Sequence, residues 1–329
     1  MSQNPASSLA GSSPACVCVV VPCYGVGESI LELIGRIGPE ATRIYVVDDA
    51  CPKHTGDCVE QHCRDDRVRV LRHDTNQGVG GAVITGYRAA IRDGCDVAVK
   101  LDGDGQMDPA LIHRFVLPIV ERRADYTKGN RFYYVESAYS MPPLRMIGNV
   151  ALSFLSKISS GYWKIFDPTN GYTAVHTKVL QHLPLDKIAR GYFFESDMLF
   201  RLGLLRAKVL DISMASAYGE EESHLRIARV VPVFLASHLR NFGKRVVYTY
   251  FMRDFQMASL GILLGIPMIL FGLIFGLGEW LTGSVAGVFA SPGTVMVASL
   301  PILLGSELLL LAIGQDIANQ PTETIYPDL

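Results

Sequence analysis

The stretch from Val99 to Gln106 holds the residues whose types and spacing most strongly suggest chemistry. Asp102 and Asp104 stand two positions apart after an apolar run, and glycines alternate with them. Carboxylates at this spacing can converge on a hard divalent cation such as Mg²⁺ or Mn²⁺, while phosphate oxygens and water complete the coordination. The alternative is an ordinary Asp-Gly surface turn, and the pair alone does not decide between the two.

Four motifs, this pair included, occur in a fixed order along the chain. They are Val20-Val21-Pro22-Cys23-Tyr24, Tyr45-Val46-Val47-Asp48-Asp49, Asn76-Gln77-Gly78-Val79-Gly80-Gly81-Ala82 and Leu101-Asp102-Gly103-Asp104. Together they resemble the nucleotide-binding half of family 2 glycosyltransferases, which have the GT-A fold, a Rossmann-like α/β fold with a mostly parallel sheet. The resemblance covers about residues 16–110.

The resemblance implies a set of residues that contact a nucleotide sugar. These are Pro22, Tyr24, Val47, Asp49, Gly78, Asp102, Gly103 and Asp104. The family's usual Asn-Glu after the tyrosine is Gly25-Val26 here, so the choice between a UDP-linked and a GDP-linked donor stays open.

A narrower resemblance links the chain to dolichyl-phosphate mannose synthases and bacterial polyprenyl-phosphate glycosyltransferases. It implies that Mg²⁺ or Mn²⁺ is held by their DxDxQ pattern, here Asp102, Asp104 and Gln106. It also implies an acceptor-phosphate site made of Arg131, Arg145, Asn149 in place of the family's Ser, and His224 in place of its Lys. Asp167 opens a turn that resembles the family's acceptor-side turn. The candidate catalytic residues are therefore Asp104, Arg131 and Asp167.

This resemblance implies an inverting transfer of a sugar to a polyprenyl phosphate of the undecaprenyl or dolichyl type, giving a glycosyl phosphoryl polyprenol. Two guanidinium groups can clamp a phosphate and offset its charge. The rival interpretation is a membrane-bound hexosyltransferase that acts on a sugar hydroxyl in polysaccharide or glycolipid synthesis. A hydroxyl acceptor needs a general base, for which Glu195 or Asp197 is the candidate.

The motifs must be positioned by a parallel sheet. Short β-branched runs predict strands at Cys16–Val21, Arg43–Val47, Val68–Leu71 and Val97–Leu101, alternating with helices at Ser29–Ile37, Thr55–Cys63 and Val79–Arg92. Ligands bind such sheets beyond the carboxyl ends of the strands, where the polar motifs fall. Further helices are predicted at Pro143–Ser159 and Phe194–Leu205, with a strand at Gly171–Val175 between them.

The charge distribution divides the chain into two regions. The first 253 residues hold all 30 Lys and Arg against 26 Asp and Glu, whereas the last 76 hold six acidic and no basic residues. Two apolar runs in this tail, 255–278 and 294–313, predict a transmembrane hairpin, interrupted only by Glu307. The basic segment before the first run places the N-terminal region in the cytoplasm by the positive-inside rule.

We therefore expect a plasma (inner) membrane protein of the cell envelope with two spans and a cytoplasmic catalytic domain. Its expected segments are a disordered N-terminus at 1–15, a GT-A domain at 16–222, a basic juxtamembrane segment at 223–254, the hairpin at 255–314 and a cytoplasmic tail at 315–329. The basic segment suits a helix at the membrane interface, and a helix packed on the domain is the alternative. Besides both substrates, the bilayer is the expected partner. No nucleic acid is expected, and a homo-oligomer formed through the transmembrane helices is open.

The seven cysteines all fall in the region expected in the cytoplasm, which predicts free thiols. Cys51, Cys58 and Cys63 alternate with two histidines, but they lack the paired CxxC spacing of a structural zinc site. Ordinary helix and loop positions are therefore expected for them.

Overall fold

The computed structural model describes residues 15–132, 143–214 and 227–329, and the side chains of all of these except 143–145 and 227–230. The chain forms two compact units. Unit 1 comprises Met1–His238 and Pro321–Leu329, and unit 2 comprises Leu239–Gln320. The chain thus leaves unit 1 after His238 and returns to it at Pro321.

Seven strands form one sheet in the described part of unit 1. They are β1 Val17–Cys23, β2 Arg43–Asp48, β3 Val68–Arg72, β4 Val97–Lys100, β5 Tyr126–Asn130, β6 Thr173–His176 and β7 Val209–Ser213. Their order is β3-β2-β1-β4-β6-β5-β7, and only β6 runs antiparallel to its neighbours. Strands β1, β2 and β4 are almost wholly buried, as expected for strands covered by helices on both faces. The predicted α/β fold class with a mostly parallel sheet is confirmed.

Seven helices accompany the sheet in the described part of unit 1 before residue 227. They are α1 Ser29–Arg36, α2 Thr55–His62, α3 Val79–Arg92, α4 Ile112–Val120, α5 Pro143–Ser160, α6 Thr177–His182 and α7 Phe194–Leu205. The strands and helices predicted between residues 16 and 101 are all present, with bounds shifted by two residues at most. Helix α3 packs closely on β1 at Gly86, where any side chain would collide with Val20.

The seven cysteines are free thiols, as predicted. Four of them are buried: Cys18, Cys23, Cys51 and Cys95. Cys18 and Cys23 lie in β1, where they pack as small apolar residues of the core.

Helix α8, Ile227–Val247, spans the division between the units and is followed by a π-helical turn at Tyr248–Arg253. Unit 2 continues with α9, Met257–Ala286, which begins two residues after the start of the first predicted span and ends beyond it. Helix α10, Pro292–Ala318, extends beyond the second predicted span at both ends. Both helices are long and apolar enough to cross a membrane, judged by length and composition. Side chains at Gly261 and Gly265 would lie 2.7 Å and 2.9 Å from backbone oxygens of α10, so small residues let the helices approach closely.

A polar cluster ties the ends of this hairpin together within unit 2. The guanidinium of Arg245 donates to both carboxylate oxygens of Asp316, at 2.7 Å and 3.0 Å, and the hydroxyl of Tyr250 donates to the same carboxylate. The Gln315 amide donates to the Gln256 side chain at 3.0 Å. The segment before α9 is therefore fixed to the last turn of α10 by charge-assisted hydrogen bonds.

The C-terminal tail packs on the sheet of unit 1. The buried carboxylate of Asp125 accepts hydrogen bonds from the backbone N–H groups of Ile325 and Tyr326, at 2.9–3.0 Å. The Tyr326 hydroxyl donates to the Ile119 carbonyl at 2.6 Å, and its ring stacks on His176 with centroids 3.9 Å apart. Asp125 precedes β5, so the tail is held at the sheet edge opposite the carboxyl ends of the parallel strands.

Replacing Tyr326 by Ala tests this tail contact. We expect the free energy of unfolding to fall by about 3 kcal/mol, because a buried aromatic ring and a hydrogen bond are lost. For a unit of this size that corresponds to a drop in melting temperature of roughly 6–12 °C, measured on the purified chain in detergent. Tyr192→Ala is the matched control, because Tyr192 is 65% exposed. Equal melting temperatures for both variants would contradict a packed tail.

Candidate functional site

The loop after β1 is held in place by the loop after β2. The backbone N–H of Gly25 donates to the Cys51 sulfur at 3.0 Å, and that of Gly27 donates to the Thr55 hydroxyl at 2.9 Å. Pro22 is buried at the end of β1, whereas Tyr24 is 58% exposed. The Tyr24 ring therefore presents a surface beside the carboxyl ends of the strands, where a nucleotide contact is predicted.

The paired carboxylates at the end of β2 organise the neighbouring loops. Asp48 accepts backbone hydrogen bonds at 2.7 Å from Cys51 and from Gly56 in the first turn of α2. Asp49 is 2% exposed and accepts backbone bonds at 2.8 Å from Gln77 and Gly78, the residues that lead into α3. The Asp49 carboxylate thus fixes the glycine-rich loop, and its direct contact with a nucleotide stays a prediction.

His73 and Gly78 also help to hold the glycine-rich loop in place. His73 contacts Asp49 through Nδ1 at 2.6 Å and the Thr85 hydroxyl through Nε2 at 2.8 Å. Gly78 has a φ of +83° and lies against the Arg190 carbonyl, so no other residue fits this turn without strain. Val47 is fully buried in β2, and its side chain packs in the core. The sequence motifs did not identify His73 as a partner of Asp49.

The Asp102–Gln106 loop follows β4 directly. Gly103 lies against the β1 end, since a side chain there would come within 3.2 Å of the Pro22 carbonyl. Asp104 and Gln106 are exposed, and Asp104 accepts a hydrogen bond from the Gln106 backbone at 3.0 Å. The two loops predicted to bind the nucleotide sugar therefore meet at one edge of the sheet.

A buried lysine stands beneath this loop. Lys100, the last residue of β4, is 1% exposed and donates to Asp102 Oδ1 at 2.6 Å, to Glu195 Oε1 at 3.0 Å and to the Gly171 carbonyl at 3.2 Å. Burial alone would lower the pKa of Lys100, but the two adjacent carboxylates outweigh it and raise the pKa above its ordinary value. The sequence motifs did not identify Lys100 as part of the site. Its position within a buried strand was a usable signal, because a buried Lys requires a charged partner.

A second buried lysine holds the next carbonyl of the same loop. Lys128 in β5 donates to the Asn170 carbonyl at 2.5 Å, next to the Gly171 carbonyl that Lys100 binds. Burial lowers the pKa of Lys128 to about 8, although Glu195 and Asp167 favour its charged form. Two ammonium groups from neighbouring parts of the sheet thus fix the segment that runs from Asp167 to Gly171.

The structure brings together Arg131 and Asp167, two of the predicted catalytic residues. The Arg131 guanidinium donates to Asp167 through Nε at 2.7 Å and through Nη2 at 3.0 Å, and its backbone N–H donates at 3.3 Å. Asp167 is 1% exposed, whereas about a third of the Arg131 side chain is accessible. Asp167 therefore orients a guanidinium that keeps an accessible surface.

A further carboxylate lies in the middle of the neighbouring strand, β7. Asp211 in β7 accepts hydrogen bonds from the Asn130 amide at 2.9 Å and from the Phe166 backbone at 3.4 Å. Burial raises the pKa of Asp211 to about 6. Asn130 and Phe166 precede Arg131 and Asp167 in the chain, so Asp211 braces both segments that carry the ion pair.

The structure describes only some of the remaining residues predicted for the acceptor site. Asn149 is half-buried in α5. His224 and the side chain of Arg145 lie outside the described residues. The predicted phosphate contacts of these three residues therefore stay predictions.

The two candidate bases of the hydroxyl-acceptor interpretation are both engaged. Glu195, 7% exposed, contacts the Lys100 ammonium. Asp197, 2% exposed, accepts hydrogen bonds from the Ala189 backbone at 2.9 Å and from the Arg201 guanidinium at 3.1 Å. Each carboxylate is thus buried and has one oxygen engaged by a cationic side chain.

The donor chemistry of the loop fits a hard divalent cation. Across the described ranges, no three His, Cys, Asp or Glu side chains converge on one point. Asp102, Asp104 and Gln106 nevertheless offer two carboxylates and an amide on one short loop, of which Asp104 and Gln106 are exposed. Mg²⁺ commonly binds through one or two carboxylates, with substrate phosphates and water as further ligands.

Comparison with known proteins agrees with this geometry. Residues 18–183 match the family model described as glycosyl transferase family 2. An undecaprenyl-phosphate mannosyltransferase of Micrococcus luteus is 33% identical over 201 residues, which cover 60% of this chain and 81% of that protein. A UDP-N-acetylglucosamine–dolichyl-phosphate N-acetylglucosaminyltransferase of Methanococcus voltae is 26% identical over 61% of this chain and 86% of its own length.

Among solved structures, the glucosyl-3-phosphoglycerate synthase of Mycobacterium tuberculosis, in complex with Mn²⁺, UDP and glucosyl-3-phosphoglycerate, superposes with a TM-score of 0.52. The two chains are 18% identical, and the match covers 70% of this chain and 80% of the synthase. At this identity the likeness concerns the fold alone, and the predicted GT-A type of sheet is confirmed.

Gly171→Ala tests the packing between the two loops. A side chain at position 171 would collide with Asp102 Oδ2 and lie 2.5 Å from Lys100 Nζ. We expect displacement of the Asp102 carboxylate and a loss of roughly tenfold or more in sugar-transfer rate, since misplaced groups near the chemistry are costly. Gly35→Ala is the control, because a side chain there meets no atom within 4 Å. Equal rates for the two variants would show that the loops need not touch.

Proposed function

The chain belongs to glycosyl transferase family 2, and from this membership we propose that it transfers a sugar, with inversion, from a nucleotide sugar to a polyprenyl phosphate. The products are a glycosyl phosphoryl polyprenol and a nucleoside diphosphate. Its similarity to polyprenyl-phosphate and dolichyl-phosphate sugar transferases supports this acceptor class.

The observation that carries the proposal is the segment from Asp167 to Gly171, which touches both halves of the site. At one end Asp167 binds the accessible guanidinium of Arg131. At the other end Gly171 lies against the Asp102 carboxylate. A phosphate held by Arg131 would therefore lie close to a diphosphate held near Asp102 and Asp104.

The chemistry needs positioning more than proton transfer. An oxygen of the acceptor phosphate forms a bond to the anomeric carbon of the sugar, and the bond from that carbon to the nucleoside diphosphate breaks. A phosphate monoester is anionic at neutral pH, so no group has to remove a proton from it. This agrees with the paired state of Glu195 and Asp197.

The roles of the chain's own residues follow from charge. Arg131 would bind the acceptor phosphate, held in orientation by the buried Asp167. Asp102, Asp104 and Gln106 would hold Mg²⁺ or Mn²⁺, which supplies electrostatic stabilisation to the departing diphosphate. Tyr24 and the loop fixed by Asp49 would border the nucleotide.

The membrane supplies the acceptor, and the chain is membrane-associated through its apolar helices. We propose that α9 and α10 both span the bilayer and that unit 1 lies in the cytoplasm. In support, all Lys and Arg residues precede the hairpin, as the positive-inside rule requires. Glu307 is exposed on α10. A polar contact from a second copy would stabilise it, so a homo-oligomer is part of the proposal.

The donor is tested with membranes that contain the expressed chain. Panels of radiolabelled UDP-sugars and GDP-sugars are supplied in turn, and lipid is extracted. We expect label from one donor to enter an acid-labile polyprenyl phosphate. EDTA should abolish the incorporation, and Asp104→Asn should lower it by about 10² or more, since stabilisation of the leaving charge is lost. Full incorporation in EDTA would remove the metal from the proposal, and label in polysaccharide instead would support the hydroxyl acceptor.

Arg131→Lys tests the acceptor site without leaving the Asp167 carboxylate buried and unpaired. Lys keeps the charge but loses the planar fork, so one of two parallel hydrogen bonds is lost. We expect the KM for polyprenyl phosphate to rise about tenfold, equivalent to about 1.4 kcal/mol, while the KM for the sugar nucleotide changes less than about threefold. The opposite pattern would assign Arg131 to the donor.

A further inference from the structure

The buried Lys100 ammonium places a positive charge next to Asp102, a proposed ligand of the metal. A lysine ammonium has three N–H donors, and here all three are used, by Asp102, Glu195 and the Gly171 carbonyl. The bond to Asp102 is 2.6 Å long. A full positive charge at this distance from a carboxylate cancels most of the attraction that the carboxylate has for a cation.

Glu195 changes this balance. Without it, the Lys100–Asp102 pair would be neutral, and Asp104 alone would offer a negative charge to a divalent cation. With it, one ammonium is shared by two carboxylates, so the three groups together carry a single negative charge. The side chains of Lys100 and Glu195 are shielded from solvent, with exposed fractions of 1% and 9%, whereas 29% of the Asp102 side chain is exposed. The attraction between Lys100 and Glu195 is therefore weakly screened.

The position of Glu195 also limits its role. Glu195 belongs to α7, and its described contact toward the metal loop is with the Lys100 ammonium. The ammonium in turn contacts Asp102, so Glu195 acts on Asp102 through Lys100. A direct part in proton transfer to an acceptor would need an accessible oxygen, which a 7% exposed carboxylate paired with Lys100 does not provide.

We propose that Glu195 is a positioning residue for the divalent cation. It balances the charge of Lys100, so that Asp102 stays fixed by a hydrogen bond and yet keeps its negative charge for the cation. This inference rests on the metal site of the proposed function. Partners that act through a ligand in this manner typically contribute 10-fold to 100-fold to metal affinity.

The test measures Mn²⁺ binding directly on the purified full chain in detergent, as the loss of the electron paramagnetic resonance signal of the hydrated ion. Glu195→Gln keeps the shape and removes the charge, so we expect about tenfold weaker Mn²⁺ binding. Glu195→Asp keeps the charge, and we expect its affinity to stay within about threefold of the parent, because Coulombic attraction falls only gradually with distance.

A double variant separates charge balance from packing. Lys100→Met combined with Glu195→Gln removes one positive and one negative charge and leaves Asp102 with its own. We therefore expect it to bind Mn²⁺ more tightly than Glu195→Gln alone, but less tightly than the parent chain, because the hydrogen bond that fixes Asp102 is lost. A purely structural role for Glu195 predicts the reverse, because two buried groups are then altered instead of one. Affinity of the double variant equal to or below that of Glu195→Gln would overturn the inference.

Two controls keep the outcomes distinct. Asp125→Asn alters a buried carboxylate at the opposite sheet edge, and we expect a lower melting temperature with unchanged Mn²⁺ affinity. Asp104→Asn alters a proposed ligand, and we expect Mn²⁺ binding to be lost. If Asp104→Asn binds Mn²⁺ as the parent does, the metal site itself is wrong. If only Glu195→Gln does so, the metal site stands and the role of Glu195 is wrong.

Discussion

The site depends on one buried ammonium group. Lys100 joins the end of β4, the loop after Asp167 and helix α7, three segments that are far apart in the chain. A buried charge that lacks a partner is strongly unfavourable, so these segments are held together by the requirement to satisfy it. Because the same ammonium contacts Asp102, a rearrangement of the acceptor-side loop or of α7 would also shift this proposed metal ligand.

The sequence predicted the local features well and the contacts between distant segments poorly. Strand and helix periodicity is a property of neighbouring residues, and β1 to β4 with their helices were found within two residues of the predicted bounds. The motifs also located the loops that meet at Gly103 and Gly171. The partnership of Lys100 with Glu195, 95 residues apart, has no such local pattern. The same holds for Arg131 and Asp167, whose motif roles were inferred without showing that they pair.

The apolar hairpin shows the same contrast between local patterns and contacts of distant segments. Apolar length alone predicted two helices, whereas no local pattern predicted that Asp316 pairs with Arg245. Polar groups next to an apolar hairpin must be satisfied internally, and this ion pair with Tyr250 does so within unit 2. The chain returns to unit 1 after Gln320, where Asp125 binds backbone N–H groups of the tail and Tyr326 is packed.

The balance of charge at the site also bears on the choice of acceptor. A diphosphate and a phosphate monoester repel each other, so a site that brings them together must supply positive charge on both sides. Arg131 is paired with Asp167 but about a third of its side chain is accessible, and Lys128 lies behind the same loop, whereas Lys100 is buried between its two carboxylates. The net negative charge that remains around Asp102 suits a divalent cation and would repel a bare diphosphate. Donor binding is therefore expected to require the cation, while the partly accessible Arg131 guanidinium lies on the side proposed for an anionic acceptor. A neutral sugar hydroxyl would gain nothing from that separation of charge.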